Sequence, residues 1–239
     1  MSPEIKIVAD LPTLYRAGAD EFIRCAREAV AAHGRFAIAL SGGSTPKGVY
    51  SLLAEVNDLP WDKIHFFFGD ERDVPPTDPE SNYRMANESL LSRVPVPPGN
   101  VHRIAAEMGA RLATLQYQSE LYAFFNLAPG EWPRFDLIML GMGPDGHTAS
   151  LFPGSAALNE TVFWVTDNWV EKFKTYRITL TFPVINHAAE VMFLVAGQDK
   201  SQVLKEVLQG KAEAYPCHRV KPLNGRLLWI VDKAAGSLL

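Results

Sequence analysis

The stretch Asp136-Leu-Ile-Met-Leu-Gly141-Met-Gly-Pro-Asp145-Gly-His147-Thr-Ala-Ser-Leu-Phe-Pro153 sets a carboxylate and an imidazole two residues apart. They sit in a glycine-rich turn that follows an apolar run. Imidazole is the side chain that gains and loses a proton near neutral pH. A histidine in a Pro-Asp-Gly-His turn is hard to hide in a core. His147 is therefore the first candidate for proton transfer, and a turn closing a buried strand is where open α/β sheets bind ligands.

Three other segments place charge or glycine at comparable points. In Ser41-Gly42-Gly43-Ser44-Thr45-Pro46 an apolar run passes into a helix. Consecutive glycines let backbone N–H groups converge, Thr45 suits an N-cap and Pro46 the first helical position. Such a start favours phosphate. The Gly-Lys-[Ser/Thr] ending of a Walker loop is missing. Gly69-Asp70-Glu71-Arg72-Asp73 puts four charges directly after another buried run. Arg72 can grip a phosphate with both arms of its guanidinium, and Asp70 can accept sugar hydroxyls or orient another group. Gly197-Gln-Asp-Lys200-Ser offers a lysine as countercharge, and Arg177 is a weaker candidate of the same kind.

Competing readings are less well supported. Gly141-Met-Gly-Pro-Asp-Gly146 fits G-x-G-x-x-G, with Asp167 about twenty residues on, as in a dinucleotide site. That fingerprint needs a long helix starting inside the glycines, and Pro153-Gly154 breaks the chain too soon. There is no Gly-x-Ser-x-Gly elbow. His65 lies in an apolar strand and reads as a satisfied core residue. His33 sits at a helix end, where positive charge is welcome. His102, His187 and His218 carry no partner motif, and the histidine spacings suggest no metal site. Cys25 and Cys217 are too few for a disulfide framework, and Cys25 reads as core filler.

These segments need a scaffold. The chain has 239 residues, 47% of them hydrophobic, which is enough for a sizeable core. Strands are expected over Ile5–Ala9, Phe36–Leu40, Ile64–Phe68, Leu137–Leu140, Val162–Thr166, Glu190–Val195 and Leu227–Val231. Helices are expected from near Leu11, capped by Asp10, to Gly34, from Pro46, and over Asn82–Leu91, Ala110–Asn126 and Lys200–Leu208. The alternation predicts an α/β fold with a parallel sheet and helices on both faces. No composition break marks a linker, so one domain spanning residues 1–239 is expected. The formal net charge of −4 offers no basic surplus for nucleic acid or an anionic membrane. No apolar run reaches bilayer length and the first residues lack a signal-peptide core. A reducing cytoplasm is the expected location. Oligomeric state has no signature in the sequence.

The motifs, taken together, resemble a known family. Leu40-Ser-Gly-Gly-Ser-Thr-Pro46, Phe68-Gly-Asp-Glu-Arg-Asp-Val-Pro75, Glu80-Ser-Asn-Tyr83, Gly141 to Pro153, Arg177-Ile-Thr-Leu-Thr-Phe-Pro183 and Val195-Ala-Gly-Gln-Asp-Lys200 occur in the order seen in 6-phosphogluconolactonases related to glucosamine-6-phosphate deaminases. The resemblance implies a Rossmann-like, open, mostly parallel sheet of the sugar-phosphate isomerase/deaminase superfamily. It implies hydrolysis of 6-phosphoglucono-1,5-lactone to 6-phosphogluconate, in the oxidative pentose phosphate pathway, without metal or cofactor. His147 would activate water. Arg72, Lys200 and the Ser41–Thr45 loop would hold phosphate, and Asp70 would line the sugar site. Asp145 could orient the imidazole, and N–H groups near Gly143 or Gly146 are candidate oxyanion donors. The related deaminases follow the Gly-x-Asp-Gly-His turn with an Asn-Glu-Pro element bearing a catalytic glutamate. Here the continuation is Ser150-Leu-Phe-Pro153, without an acid. A deaminase or isomerase, or a non-catalytic sugar-phosphate-binding module, are the alternatives.

Overall fold

Strands buried on both faces need unbroken apolar runs, and this chain supplies them. In the computed structural model, which describes residues 3–128, 130–209 and 215–239, every residue of β2 (Phe36–Leu40) is buried, and only His65 of β3 (Ile64–Phe68) and Gly141 of β5 (Leu137–Gly141) are partly exposed. These strands join β1 (Glu4–Val8), β8 (Glu190–Val195) and β9 (Arg226–Asp232) in a parallel sheet of order β1-β9-β8-β5-β2-β3. β1 is an edge strand, exposed except at Val8. Helices cover both faces. They are α1 (Leu11–His33), α2 (Ser44–Leu53), α3 (Asn82–Ser89), α4 (Ala110–Phe125), α5 (Phe182–His187) and α6 (Ser201–Leu208). Asp10 caps α1 by accepting the Thr13 N–H at 2.9 Å, and Gly34 ends it at φ 82°.

A second sheet lies outside the expected parallel one. β4 (Asp70–Arg72), β6 (Val165–Val170) and β7 (Thr175–Leu180) form an antiparallel sheet of order β4-β7-β6. The strand expected over Val162–Thr166 is β6, which begins three residues later. β4 has no apolar residue, and its Arg72 faces Arg177 directly across the ladder. Like charges opposite one another oppose pairing, so no pattern rule would have joined these segments. Buried residues of both sheets belong to one continuous core, including Ile178 and Leu180 of β7 and Val165 of β6.

From β2 the chain moves outward to β3, whereas from β5 it moves the other way to β8 and β9. The direction therefore reverses between β2 and β5. Loops beyond the carboxyl ends of these strands border the crevice where such folds bind ligands. Tyrosine hydroxyls clamp two of the strand ends. Tyr50 Oη accepts the Ser41 N–H at 2.9 Å and donates to the Ser41 carbonyl at 2.8 Å. Tyr117 Oη does the same for Phe68, at 2.8 and 3.0 Å.

Candidate functional site

The crevice holds a cavity of about 250 Å³. Its walls include Ser41, Gly42, Gly43, Ser44 and Thr45 after β2, Asp70 and Arg72 on β4, Asn82 at the start of α3, Gly143 and His147 after β5, and Lys200 before α6. Four segments read from the sequence as separate chemical candidates thus face one space.

The glycine loop ends two residues earlier than expected. Gly43, at φ 103°, is the N-cap of α2 in place of Thr45, and its carbonyl accepts the Lys47 N–H at 3.2 Å. Pro46 is then the third helical residue, where a missing N–H leaves no bond unmade. Among the described residues no side chain caps this helix start. Its first N–H groups and positive dipole end are left to the cavity, the arrangement that suits an anion.

Hydrogen bonds within the turn after β5 shape the catalytic candidate. The Gly143 N–H donates to the His147 carbonyl, and the Gly146 N–H to the Gly143 carbonyl, each at 2.9 Å. Thr148 Oγ1 donates to the Gly141 carbonyl at 2.9 Å. Oxyanion donors were expected near Gly143 or Gly146, and the N–H groups of those two residues themselves are already donated within the turn. Gly146 is absent from the cavity wall and sits at φ 73° against the Tyr215 ring. Ala149 holds the left-handed φ of 46°, which is costly for a residue with a Cβ.

His147 Nδ1 is hydrogen-bonded to Asp145 Oδ1, and Lys172 Nζ lies 3.4 Å from Asp145 Oδ2. Asp145 backs the imidazole and does not itself line the cavity. Burial works to raise the Asp145 pKa, but the His147 hydrogen bond and charge, with Lys172, outweigh it and hold the carboxyl low. An ionised Asp145 only accepts hydrogen bonds, so the shared proton sits on Nδ1, and in the neutral ring the lone pair is then on Nε2. The Phe152 ring stacks on the imidazole with centroids 4.2 Å apart.

Asp70 is buried. Ser150 Oγ donates to its Oδ2 at 2.6 Å, and Asn82 Nδ2 to its Oδ1 at 3.2 Å. Its neighbour Glu71 points away from the cavity and accepts the N–H groups of Arg72, Asn82 and Tyr83 at 2.7–2.8 Å. Burial pushes the Glu71 pKa up, and these N–H bonds oppose it. Glu71 thus anchors the start of α3. Arg72 Nη1 donates to the Glu80 carbonyl. Lys200 Nζ lies 3.1 Å from Asp199 Oδ2.

Arg177 does not reach the cavity, contrary to expectation. It is buried, with its guanidinium 5.4 Å from the centre of the Phe173 ring. Burial, then the charge of Arg72, lower its pKa. Asn82, Ser150, Phe152 and Lys172 were missed as site residues. Asn82 and Ser150 lie inside quoted motifs, but hydroxyls, amides and phenyl rings have no spacing rule that singles them out. His65, in its strand, is hydrogen-bonded as expected, whereas His102, expected to have no partner, has two. His65 Nδ1 lies 3.2 Å from His102 Nε2, and His102 Nδ1 lies 2.7 Å from Glu120 Oε1.

Among the described residues one group has metal-ligand types close together, namely Glu21, Cys25 and Glu190. It lies outside the cavity. Its carboxylates already bind arginine, with Glu190 held by Arg24 at 2.6 Å and Arg226 at 3.0 Å. Guanidinium groups there occupy the place of a cation.

Residues 9–229 match the family described as glucosamine-6-phosphate isomerases/6-phosphogluconolactonase. The chain is 42% identical to a 6-phosphogluconolactonase of Nostoc sp., over all of this chain and 99% of that one. It is 43% identical to a Synechocystis sp. 6-phosphogluconolactonase, over 89% of this chain and 88% of that one. The solved structure of 6-phosphogluconolactonase from Trypanosoma brucei superposes with a TM-score of 0.90 at 30% identity, over 100% of this chain and 99% of that one. With matching loops gathered at one sheet edge and a relationship running end to end, the chain belongs to the glucosamine-6-phosphate isomerase/6-phosphogluconolactonase family.

Proposed function

We propose that this chain hydrolyses 6-phosphoglucono-1,5-lactone to 6-phosphogluconate. The observation that carries the reading is the Asp145–His147 pair, whose free Nε2 belongs to a cavity that also holds an uncapped helix start and two cations. The phosphate would sit at the first turn of α2 with Arg72 and Lys200, placing the ring towards His147 and Asp70.

The chemistry asks little of the protein. A δ-lactone is an activated ester, so no covalent nucleophile is needed. His147 Nε2 takes a proton from water as the water oxygen bonds to the carbonyl carbon. Asp145 stabilises the imidazolium that forms. When the tetrahedral intermediate collapses, the bond from carbon to ring oxygen breaks. The imidazolium returns its proton to that oxygen, giving the open-chain acid. General-base catalysis of this kind contributes about 10²–10⁴-fold. Phosphate binding remote from the reacting carbon supplies the positioning.

A deaminase or isomerase needs a further acid beside the histidine. The segment that would carry it supplies Ser150, which binds Asp70, and Phe152, which stacks on His147. The test is to offer freshly generated 6-phosphogluconolactone and glucosamine 6-phosphate to the same preparation. Lactone hydrolysis above an enzyme-free blank, without ammonia release, is expected. Ammonia release without lactone hydrolysis would overturn the assignment, and 6-phosphogluconate binding with neither reaction would leave a sugar-phosphate sensor.

A further inference from the structure

We propose that Asn82 is a positioning residue, a strut that sets the separation between the glycine loop and the Asp70 carboxylate. The inference rests on the lactonase reading, in which the loop holds the phosphate and Asp70 faces the sugar.

Asn82 is the first residue of α3, and its backbone N–H donates to Glu71 Oε1 at 2.7 Å. Glu71 is itself held by other donors, so the Asn82 backbone is fixed. Its side-chain nitrogen donates to the Asp70 carbonyl at 2.9 Å and to Asp70 Oδ1 at 3.2 Å. Both partners are acceptors, so the amide has one orientation: nitrogen towards Asp70, oxygen away from it. The oxygen meets Gly42. A Cβ built on Gly42 would overlap the terminal atoms of the Asn82 carboxamide. Gly42 does not have the left-handed φ of its neighbour Gly43. A side chain at 42 would have to displace the carboxamide, so the close approach, not the dihedral angles, is what favours glycine there. Asn82 Oδ1 is buried without a hydrogen-bond partner among the described residues. An acceptor left unpaired in this way is costly, so the contact is not one the fold would keep for stability alone.

One side chain therefore touches both ends of the proposed substrate site. It stops the loop on one side and turns the carboxylate on the other. Misplacing a reacting group by about 1 Å costs on the order of 10²-fold in rate. A strut of this kind should act on turnover more than on phosphate affinity.

The test uses Asn82→Ala, Asn82→Ser, Gly42→Ala and the Gly42→Ala/Asn82→Ala double variant. For each, kcat and KM for the lactone, inhibition by inorganic phosphate and thermal melting are measured. Asn82→Ala should lower kcat by about ten- to a hundredfold, the size expected for losing a hydrogen bond to a charged group, and leave phosphate inhibition unchanged. Gly42→Ala should lower kcat by pushing the carboxamide aside. The double variant should be no worse than Asn82→Ala, because the obstructing group is gone. Wild-type kcat in both Asn82 variants would overturn the proposal. So would losses that multiply in the double variant, or phosphate affinity falling in step with kcat. Crystal structures of wild type and Asn82→Ala need no turnover. A Gly42–Asp70 separation unchanged between them refutes the strut, whereas absence of lactone hydrolysis by wild type refutes the lactonase reading instead.

Discussion

Replacing Asp145 with asparagine removes the charge behind His147 while keeping the shape of the side chain. Two effects follow. The first is electrostatic. Opposite unit charges at hydrogen-bond distance attract by about 5 kcal/mol at an effective dielectric constant of ~20. His147 and Asp145 are 25% and 31% exposed, so solvent screening leaves on the order of 2 kcal/mol, or about thirtyfold in rate. The second is tautomeric. An asparagine amide can turn its NH₂ towards Nδ1. The ring proton then moves to Nε2, and the lone pair that should take a proton from water is lost. The equivalent change in a serine-protease triad costs about 10⁴-fold. Together these give an expected fall in kcat of about 10²–10⁴-fold, with KM changed by less than about threefold because the phosphate contacts are untouched. The assay is lactone hydrolysis against an enzyme-free blank at mildly acidic pH, where the uncatalysed reaction is slower. A kcat within about threefold of wild type would refute the argument that Asp145 fixes the working state of the imidazole. So would a further large loss on adding His147→Ala to Asp145→Asn, since residues acting as a unit are not additive.

Other expectations rest on separate parts of the structure. In Gly143→Ala the new Cβ would overlap the His147 ring, so kcat should fall by at least about tenfold with little change in phosphate inhibition, and wild-type kcat would contradict this. Tyr50→Phe leaves the Ser41 N–H and carbonyl without their shared partner. It should destabilise the protein by about 1–3 kcal/mol in denaturant titration, and an unchanged midpoint would show that this clamp is dispensable. Burial, then the charges of His102 and Arg35, lower the His65 pKa to about 4. The unfolded chain therefore binds more protons than the folded one between pH about 4 and the ordinary value near 6.5. This contribution to stability is present above pH 6.5 and is lost as pH falls towards 4. His65→Phe should flatten that slope in unfolding experiments, and an unaltered slope would contradict the assignment.

What the sequence revealed, and what it hid, follow the physics of each element. The central parallel strands were legible because burial on both faces demands unbroken runs such as Phe36–Leu40 and Glu190–Val195. The ends of α1 were legible because Asp10 and Gly34 have one local job each. The antiparallel sheet was not, because β4 is wholly charged and pairs Arg72 with Arg177. Its stability comes from tertiary context, including burial of β7 against the core. In the site, glycine and charge positions after strand ends were readable, since the fold places such loops together. Arg177 and the spent N–H groups of Gly143 and Gly146 were not. Whether a donor is free, or a cation reaches a cavity, depends on atoms far apart in the chain. Asn82 illustrates this, because its importance lies in touching Gly42 and Asp70 at once.

The central claim is that His147, backed by Asp145, activates water for lactone hydrolysis. The most direct measurement is hydrolysis of fresh 6-phosphogluconolactone by wild type and His147→Ala, beside binding of 6-phosphogluconate to each. Wild type should accelerate the reaction well above the blank. His147→Ala should lose that acceleration, by about 10²–10⁴-fold, and still bind 6-phosphogluconate. Acceleration retained in the variant, or binding lost together with turnover, would contradict the account.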